Sequence, residues 1–320
     1  MPNPIRWNSK LALANIETAY GVDPTPAAAN ALLLTEITLQ PMEGEDISRN
    51  LELPYFGAQE TIAAGLRATF SATFELVGSG QTGVAPAWSP LMRSLAIAEI
   101  VTPDSVPGTH DGMVEYVPVT DNPESMALWF YIGPTRYVIL GMAGTGKIVF
   151  NAQGIPVVQG TWTGLFKLPT DQAKPVGIDL SNFVEPQIVS KATTPVFTIG
   201  GTTLKARSFE LDFANDVQPR MLINDERILI VGRDEKISLT VEAVPMATYN
   251  PYLAAQTPKP KAEIVVEHGT VVGRKVKIEA GQAAQNRPGA PTNQNGIVEW
   301  PLVFVPLPLA GNDQWKITLR

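Results

Sequence analysis

Cysteine is missing from all 320 residues, which excludes disulfide scaffolds, thiolate metal centres and cysteine nucleophiles. Histidine is scarce: His110 and His268 are the two copies, which nearly excludes a histidine-rich metal site or a two-histidine mechanism within one chain. Charged residues make up only 17%, and 24 basic against 31 acidic residues leave a net charge of −7. That balance lacks the cationic footprint of a sequence-blind grip on nucleic-acid phosphate. No apolar run approaches the roughly 18 residues of a membrane span, so no membrane partner is expected. The opening Met1-Pro2-Asn3-Pro4-Ile5-Arg6-Trp7 lacks the charged-then-apolar pattern of a signal peptide, which implies synthesis and assembly in a cytoplasm.

Glycine and proline are abundant, with 26 and 28 copies, in a chain that is 44% hydrophobic. Such a composition suits a turn-rich β protein with a substantial core. The length exceeds the roughly 150 residues of a typical domain, which favours two domains. Up to Ile178 there are 9 basic and 16 acidic residues, and from Asp179 onward 15 of each. The change falls near Leu168 to Ile178, where Pro169, Pro175 and Gly177 punctuate a polar stretch that reads as a linker.

The two halves nevertheless share a pattern. After Gly65, residues Leu66 to Leu76 alternate strictly, with Leu66, Ala68, Phe70, Ala72, Phe74 and Leu76 on one face. The other face carries Arg67, Thr69, Ser71, Thr73 and Glu75. Period two with aromatic residues predicts a half-buried strand. After Gly232 the run Lys236 to Ala243 repeats it in register, placing Ser238, Thr240 and Glu242 opposite Ile237 and Val241. Each run leads to a Pro-started short helix, Ser89 to Ala96 and Asn250 to Ala255, behind a Ser or Asn cap. Strands at Leu128–Ile132 and Ile264–Val266 follow, then Arg136–Leu140 with Lys147–Phe150 in one half and Lys275–Glu279 in the other. Val157–Phe166 and Ile297–Val305 close the units, the latter behind the turn pair Asn295-Gly296. Before the alternating strands, Thr35–Leu39 and Ser208–Phe213 correspond, each leading into a long polar loop, Gly44 to Ala64 and Asn215 to Arg227. A duplicated all-β protein is expected, with one short helix per domain and two tandem β-barrel or sandwich domains. The boundaries read as an N-terminal arm over 1–34, a first β domain over 35–167, a linker and lead-in over 168–200, and a second β domain over 201–320.

No motif singles out chemistry. Gly141-Met142-Ala143-Gly144-Thr145-Gly146-Lys147-Ile148 approaches a phosphate loop, but Ile148 stands where the magnesium-binding hydroxyl belongs. The β-branched run that follows opens no helix, so these glycines read as a bend between strands. His110 lies in a turn-rich loop and His268 at a hairpin end, both read as solvated and neither with metal partners at a recognisable spacing. Glu43, Glu45 and Asp46 read as a solvated acidic face. There is no nucleophile elbow and no calcium-loop pattern, so catalytic, cofactor and metal residues are all expected to be absent. The Ser/Thr-rich faces of the two alternating strands are hydrophilic without being adhesive, as the wall of a water-filled channel would be.

At this point the chain resembles the tail tube proteins of long, non-contractile-tailed bacteriophages. The resemblance rests on the arm Ile16-Glu17-Thr18-Ala19-Tyr20-Gly21-Val22-Asp23-Pro24-Thr25-Pro26 with Ala29 to Leu33. It extends over Gly141, Gly144, Gly146, Gly154 and Gly164, and over Phe197 to Gly201 with Phe209 to Asn215. It implies a virion structural protein, not an enzyme, that stacks as rings into a hollow tube through which genomic DNA is delivered. A duplicated chain implies trimer rings with pseudo-six-fold symmetry, assembled in the host cytoplasm beside tail terminator, tape-measure and tail-tip proteins. DNA would pass without specific binding. On this reading Thr69, Ser71, Thr73, Glu75, Ser238, Thr240 and Glu242 line the lumen, and Leu51, Leu53, Tyr55 and Phe56 belong to a ring-stacking loop. The alternative is a carbohydrate- or receptor-binding or decoration β module, which an exposed aromatic loop cluster would favour; Trp88, Trp129, Trp162, Trp300 and Trp315 instead sit in strand-like surroundings. A hydrolase on a β scaffold ranks third.

Overall fold

The computed structural model describes residues 4–320; the first three residues of the arm expected over 1–34 lie outside the described residues. Strands β1 (Lys10–Ile16), β2 (Ala31–Leu32), β3 (Thr35–Ser48) and β4 (Thr61–Glu75) precede helix α1 (Ser89–Arg93). Then come β5 (Ile97–Thr102), β6 (Met113–Pro118), β7 (Met126–Ile132), β8 (Thr135–Asn151) and β9 (Val157–Leu165). The connection holds β10 (Thr170–Asp171), β11 (Val196–Ile199) and β12 (Thr202–Thr203). The second half continues with β13 (Ala206–Asp212), β14 (Asn215–Leu222), β15 (Asp225–Arg233), β16 (Lys236–Glu242) and helix α2 (Pro251–Ala254). It ends with β17 (Lys261–His268), β18 (Val276–Gln285), β19 (Thr292–Gln294), β20 (Ile297–Pro306) and β21 (Lys316–Leu319). The chain is all-β apart from these short helices, and its sheets curve around a core without closing into a barrel.

The same sheet is built twice. In the first half antiparallel neighbours run β3-β4-β9-β8-β7-β1. In the second they run β13-β16-β20-β18-β17-β11. A short helix follows β4 in one half and β16 in the other. Asn250 caps α2 by accepting from the N–H groups of Tyr252 and Leu253 at 3.1 and 3.0 Å. Ser89, expected as a cap, lies inside α1, and its hydroxyl turns to the Glu99 carboxylate instead. Asn295 and Gly296 both adopt positive φ, 50° and 84°, the type I′ geometry that joins β19 tightly to β20.

The halves are stitched together. The distal end of β8 pairs with β13, Lys147 opposite Asp212 and Asn151 opposite Ser208. The last strand, β21, crosses back to pair with β6. Between the layers the alternating apolar faces meet in one core holding Phe70, Phe74 and Trp162 with Phe209, Ile237 and Phe304. Removing each such aromatic from water contributes roughly 1.5–3 kcal/mol, enough to lock the strand faces in place. Trp88, Trp162, Trp300 and Trp315 are buried in this core and Trp129 is half-buried; Trp129, Trp162 and Trp300 lie in strands as expected, whereas Trp88 sits in the turn before α1 and Trp315 just ahead of β21.

Two of the expected loops are in fact hairpins. Glu45, Asp46, Ile47 and Ser48 pair with Ala64, Ala63, Ile62 and Thr61, leaving only residues 49–60 as a loop. The whole of Asn215 to Arg227 belongs to the two-stranded β14–β15 ribbon. Both ribbon ends are exposed on either face, so no apolar alternation marks them as strands. Likewise Arg136–Leu140 and Lys147–Phe150 are not separate strands around a bend but parts of the 17-residue β8, with a bulge after Leu140.

Candidate functional site

The hydroxyl-rich positions expected in separate domains lie on one face of one sheet. Reading across β3, β4, β9 and β8, Thr38, Ser71, Thr161 and Thr145 form a row. The next row runs Thr73, Gln159, Lys147, Asp212 and Lys236, crossing through β13 into β16. A third runs Glu75, Val157, Val149, Glu210 and Ser238, and a fourth joins Asn151 and Ser208 to Thr240. The opposite face buries Phe70, Phe74, Ile237 and Val241, as the alternation requires.

Hydroxyl–hydroxyl and hydroxyl–carboxylate bonds tie this face together. Ser71 Oγ and Thr161 Oγ1 are 2.9 Å apart. Thr69 donates to Glu43 at 3.1 Å, and Lys147 Nζ donates to Glu210 at 2.9 Å across the seam between the halves. Glu242 takes a bond from Lys205 at 2.8 Å. Thr73 is on the face but not open to water: it is 6% exposed because Glu36 folds over it and accepts its hydroxyl proton at 2.9 Å. Glu36 reaches that position from a bulge in which its own φ is +51°, a conformation costly for a side chain of this kind. The face and the side chains folded over it carry Arg67, Lys147, Lys205 and Lys236 against Glu36, Glu43, Glu75, Glu210, Asp212 and Glu242, so 4 − 6 = −2.

Glycines make the wall possible. A Cβ at Gly144 would stand 2.4 Å from the Thr161 carbonyl and 2.9 Å from Trp162 Cγ, and one at Gly160 would strike the Trp162 ring at 2.2 Å. The near match to a phosphate loop is therefore strand backbone packed against Trp162, and its lysine is spent on Glu210. At the β8 bulge, Gly141 takes φ +59° and is held by the arm. The buried Glu17 carboxylate accepts from Gly141 N at 2.7 Å, Gly21 N at 2.8 Å and Ser125 Oγ at 2.6 Å. Tyr20 donates to the Gly141 carbonyl at 3.2 Å and accepts from Ile228 N at 2.6 Å, so it bridges the bulge to the β14–β15 ribbon. Burial pushes the Tyr20 hydroxyl above its ordinary pKa, which keeps it neutral. At the ribbon's other end Arg233 donates to the carbonyls of Ala96 and Val119 at 3.1 and 2.6 Å.

His110 occupies an exposed turn at φ +57°. His268 is not solvated as expected: it is 3% exposed, with Nδ1 2.9 Å from Thr194 Oγ1 and Nε2 3.0 Å from the Gln187 carbonyl. Among the described residues no group of three His, Asp or Glu is placed to hold a metal ion, and no helix is long and apolar enough to cross a membrane. Leu51, Leu53, Tyr55 and Phe56 sit at the tip of the β3–β4 hairpin, all exposed, Phe56 fully. The reading of the sequence missed the β8, β9 and β13 contributions to the polar face. In β9 the signal was present, since Gln159, Thr161 and Thr163 alternate with Val158, Gly160 and Trp162.

The fold and this face define an all-β protein built on a doubled sheet with one hydroxylated, mildly acidic side. A family model for phage tail tube proteins matches residues 7–310, nearly the entire chain, and the chain belongs to that family. It is accordingly a structural component of a bacteriophage virion tail, an assembly of many subunits. No curated protein matches the chain.

Proposed function

We propose that the chain forms trimeric rings that stack into the tail tube, with the polar face as the wall of the DNA channel and the two sequence-defined β domains as quasi-equivalent units. The observation that carries this is the β8–β13 seam. It joins two copies of one sheet inside the chain, and it leaves the matching edges open at the two ends. By the duplication, β3 corresponds to β13, and β19 with β18 to β8. In this alignment Thr38 matches Glu210 and Thr292 matches Val149, the pair that face each other at the internal seam. The outer edge of β3 pairs with no strand among the described residues, and Thr292 and Asn293 are exposed.

Pairing Thr38 of one copy with Thr292 of the next repeats the internal seam, and three copies give six units. The same pairing removes the exposed strand edges that would otherwise aggregate. Thr69, Ser71, Glu75, Ser238, Thr240 and Glu242 then face the lumen, with Thr73 on the same side beneath the Glu36 carboxylate. With acidic groups outnumbering basic ones there, DNA slides past without a ladder of phosphate contacts. With this reading we also propose the finer roles, delivery of the genome and contact with terminator, tape-measure and tip proteins, which the membership in the tail tube family supports. The test is a Thr38→Cys, Thr292→Cys double variant in this cysteine-free chain. Oxidation is expected to give covalent trimers, with rings or tubes in negative stain; crosslinked dimers alone, or rings of another count, would overturn it.

A further inference from the structure

Besides its strand pairing, the internal seam carries a clasp. Val189, in the connection that leads into β11, accepts from Gln153 N at 2.9 Å and donates to the Gly154 carbonyl at 2.8 Å, gripping the β8–β9 turn of the first half. The segment that leads into β1 repeats this structure. Ser9 accepts from Gly133 N at 2.9 Å where Thr193 accepts from Gly269 N at 2.7 Å, and both glycines take positive φ, 60° and 94°. Counting back from these acceptors, Ile5 corresponds to Val189 and Trp7 to Lys191. The gripped turn has its own counterpart. Thr161 and Val303 stand opposite the matching residues Ser71 and Ser238, and they follow Gly154 and Gly296 at equal spacing. Gln153 and Asn295, just ahead of those glycines, both take positive φ, 64° and 50°. The grooves beside the two lead-in segments correspond as well. Lys191 borders a cleft of about 610 Å³ over Phe209 and Val266, walled by Phe150, Ala152 and Gln153 of the first half. Trp7 borders a groove of about 210 Å³ over the matching Ile37 and Phe130, lined by first-half residues alone.

We infer that the segment Ile5 to Ser9 of one chain clasps the Asn295-Gly296 turn of its neighbour within the same ring; the inference rests on the ring reading above. Ile5 accepts from Asn295 N and donates to the Gly296 carbonyl, and the turn supplies the wall that the Trp7 groove lacks. The occupant is a second copy of this chain because the two parts of the clasp lie at the two open ends of the doubled sheet, beside β3 and on the β19–β20 turn. Among the described residues, Ile5 N and O, Asn295 N and Gly296 O have no backbone partner, and the clasp satisfies all four. Ile5 and Trp7 are 56% and 68% exposed, and Ile297 and Val298 beside the turn are 53% and 51% exposed, so both surfaces are free to meet.

Three proteins test it: one with a benzophenone amino acid replacing Trp7, an Ile5→Pro variant that has no N–H to donate there, and a Val189→Pro variant as the internal control. Irradiating rings assembled from mixed light and heavy-isotope chains is expected to join position 7 to the peptide 292–298 of another chain. Ile5→Pro is expected to keep the wild-type urea midpoint as a monomer, yet to need about five- to tenfold more protein for half-maximal ring formation, the scale of one lost hydrogen bond at a seam. Val189→Pro, whose bond closes inside the chain, is expected to lower the midpoint itself. Crosslinks confined to one chain or falling on other segments, or Ile5→Pro assembling like wild type, overturn the clasp and leave the ring standing. A midpoint for Ile5→Pro as low as that of Val189→Pro also overturns it, because the N–H would then be used within the chain. Failure of the Thr38→Cys, Thr292→Cys protein to give covalent trimers overturns the ring and the clasp together.

Discussion

Phe70 and Phe56 undergo the same chemical change on conversion to alanine, with opposite expected consequences. Phe70 is fully buried, with ring centroids 5.6 Å from Phe130 and 6.3 Å from Trp162. Its removal takes away a large apolar area and two aromatic contacts, and it leaves a void between two sheets that cannot easily collapse. Phe→Ala at such a site costs about 3–5 kcal/mol. With a urea slope near 3 kcal/mol/M, the unfolding midpoint of the unassembled protein should fall by roughly 1–2 M. Phe56 loses nothing by folding, so Phe56→Ala should stay within about 0.5 kcal/mol of the parent. Urea titration of both variants, followed by tryptophan fluorescence, measures the difference directly. A Phe70→Ala midpoint within 0.3 M of the parent would refute the assignment of the strand faces, because a one-residue register slip is the change that would put Phe70 in water.

Glu17→Ala strands the Gly141 and Gly21 N–H groups and the Ser125 hydroxyl. It should cost about 2–4 kcal/mol and speed amide exchange at Gly141 before the rest of β8. Gly144→Ala drives a methyl into the Thr161 carbonyl and should lower stability by about 1–3 kcal/mol, read as a drop in Tm. For His268, burial lowers the pKa and outweighs the opposing bond to Gln187. A folded pKa below the unfolded value near 6.5 means that the unfolded chain binds the proton more readily. This contribution to stability is therefore complete above about pH 6.5 and is lost as the pH falls through the folded pKa. The Tm of wild type should drop more between pH 7 and 5 than that of His268→Gln; equal slopes would sink the argument.

The readable part of this sequence is the part where water touches one side of a strand. Residues 66–76 and 236–243 announce themselves because Phe70 and Ile237 must be dry while Ser71 and Ser238 are wet. The ends of the hairpins did not, because Glu45 and Asp46 have solvent on both faces and their ladder is held by backbone bonds alone. The glycines of β8 misled for a different reason. A Gly-rich string reads as a turn, yet Gly144 is required by the bulk of Trp162 on neighbouring β9, and cross-strand crowding has no signature in a single run. His268 looked solvated because the groups that cover it, Thr194 and Gln187, come from the connection between the halves, more than seventy residues away. Glu17 and Tyr20 carried part of the family resemblance, but their grip on Gly141 appears only in three dimensions.

The pairing of β8 with β13 inside one chain changes the arithmetic of closing a ring. Every second seam is made at the effective concentration set by a covalent tether, independent of how much protein the host has produced. Only the alternate seams form between chains, so a ring of three doubled chains takes two encounters and one closure, where six separate units would need five encounters and a closure. Parity is fixed as well, since a closed ring of doubled chains holds an even number of sheet units and an odd ring cannot form. The two kinds of seam are also free to diverge. The internal one holds a Lys147–Glu210 ion pair, while the counterpart proposed between chains sets Thr38 opposite Thr292, both uncharged. On the proposed ring, partner exchange during assembly is confined to the seams between chains, because the tethered seam cannot trade partners.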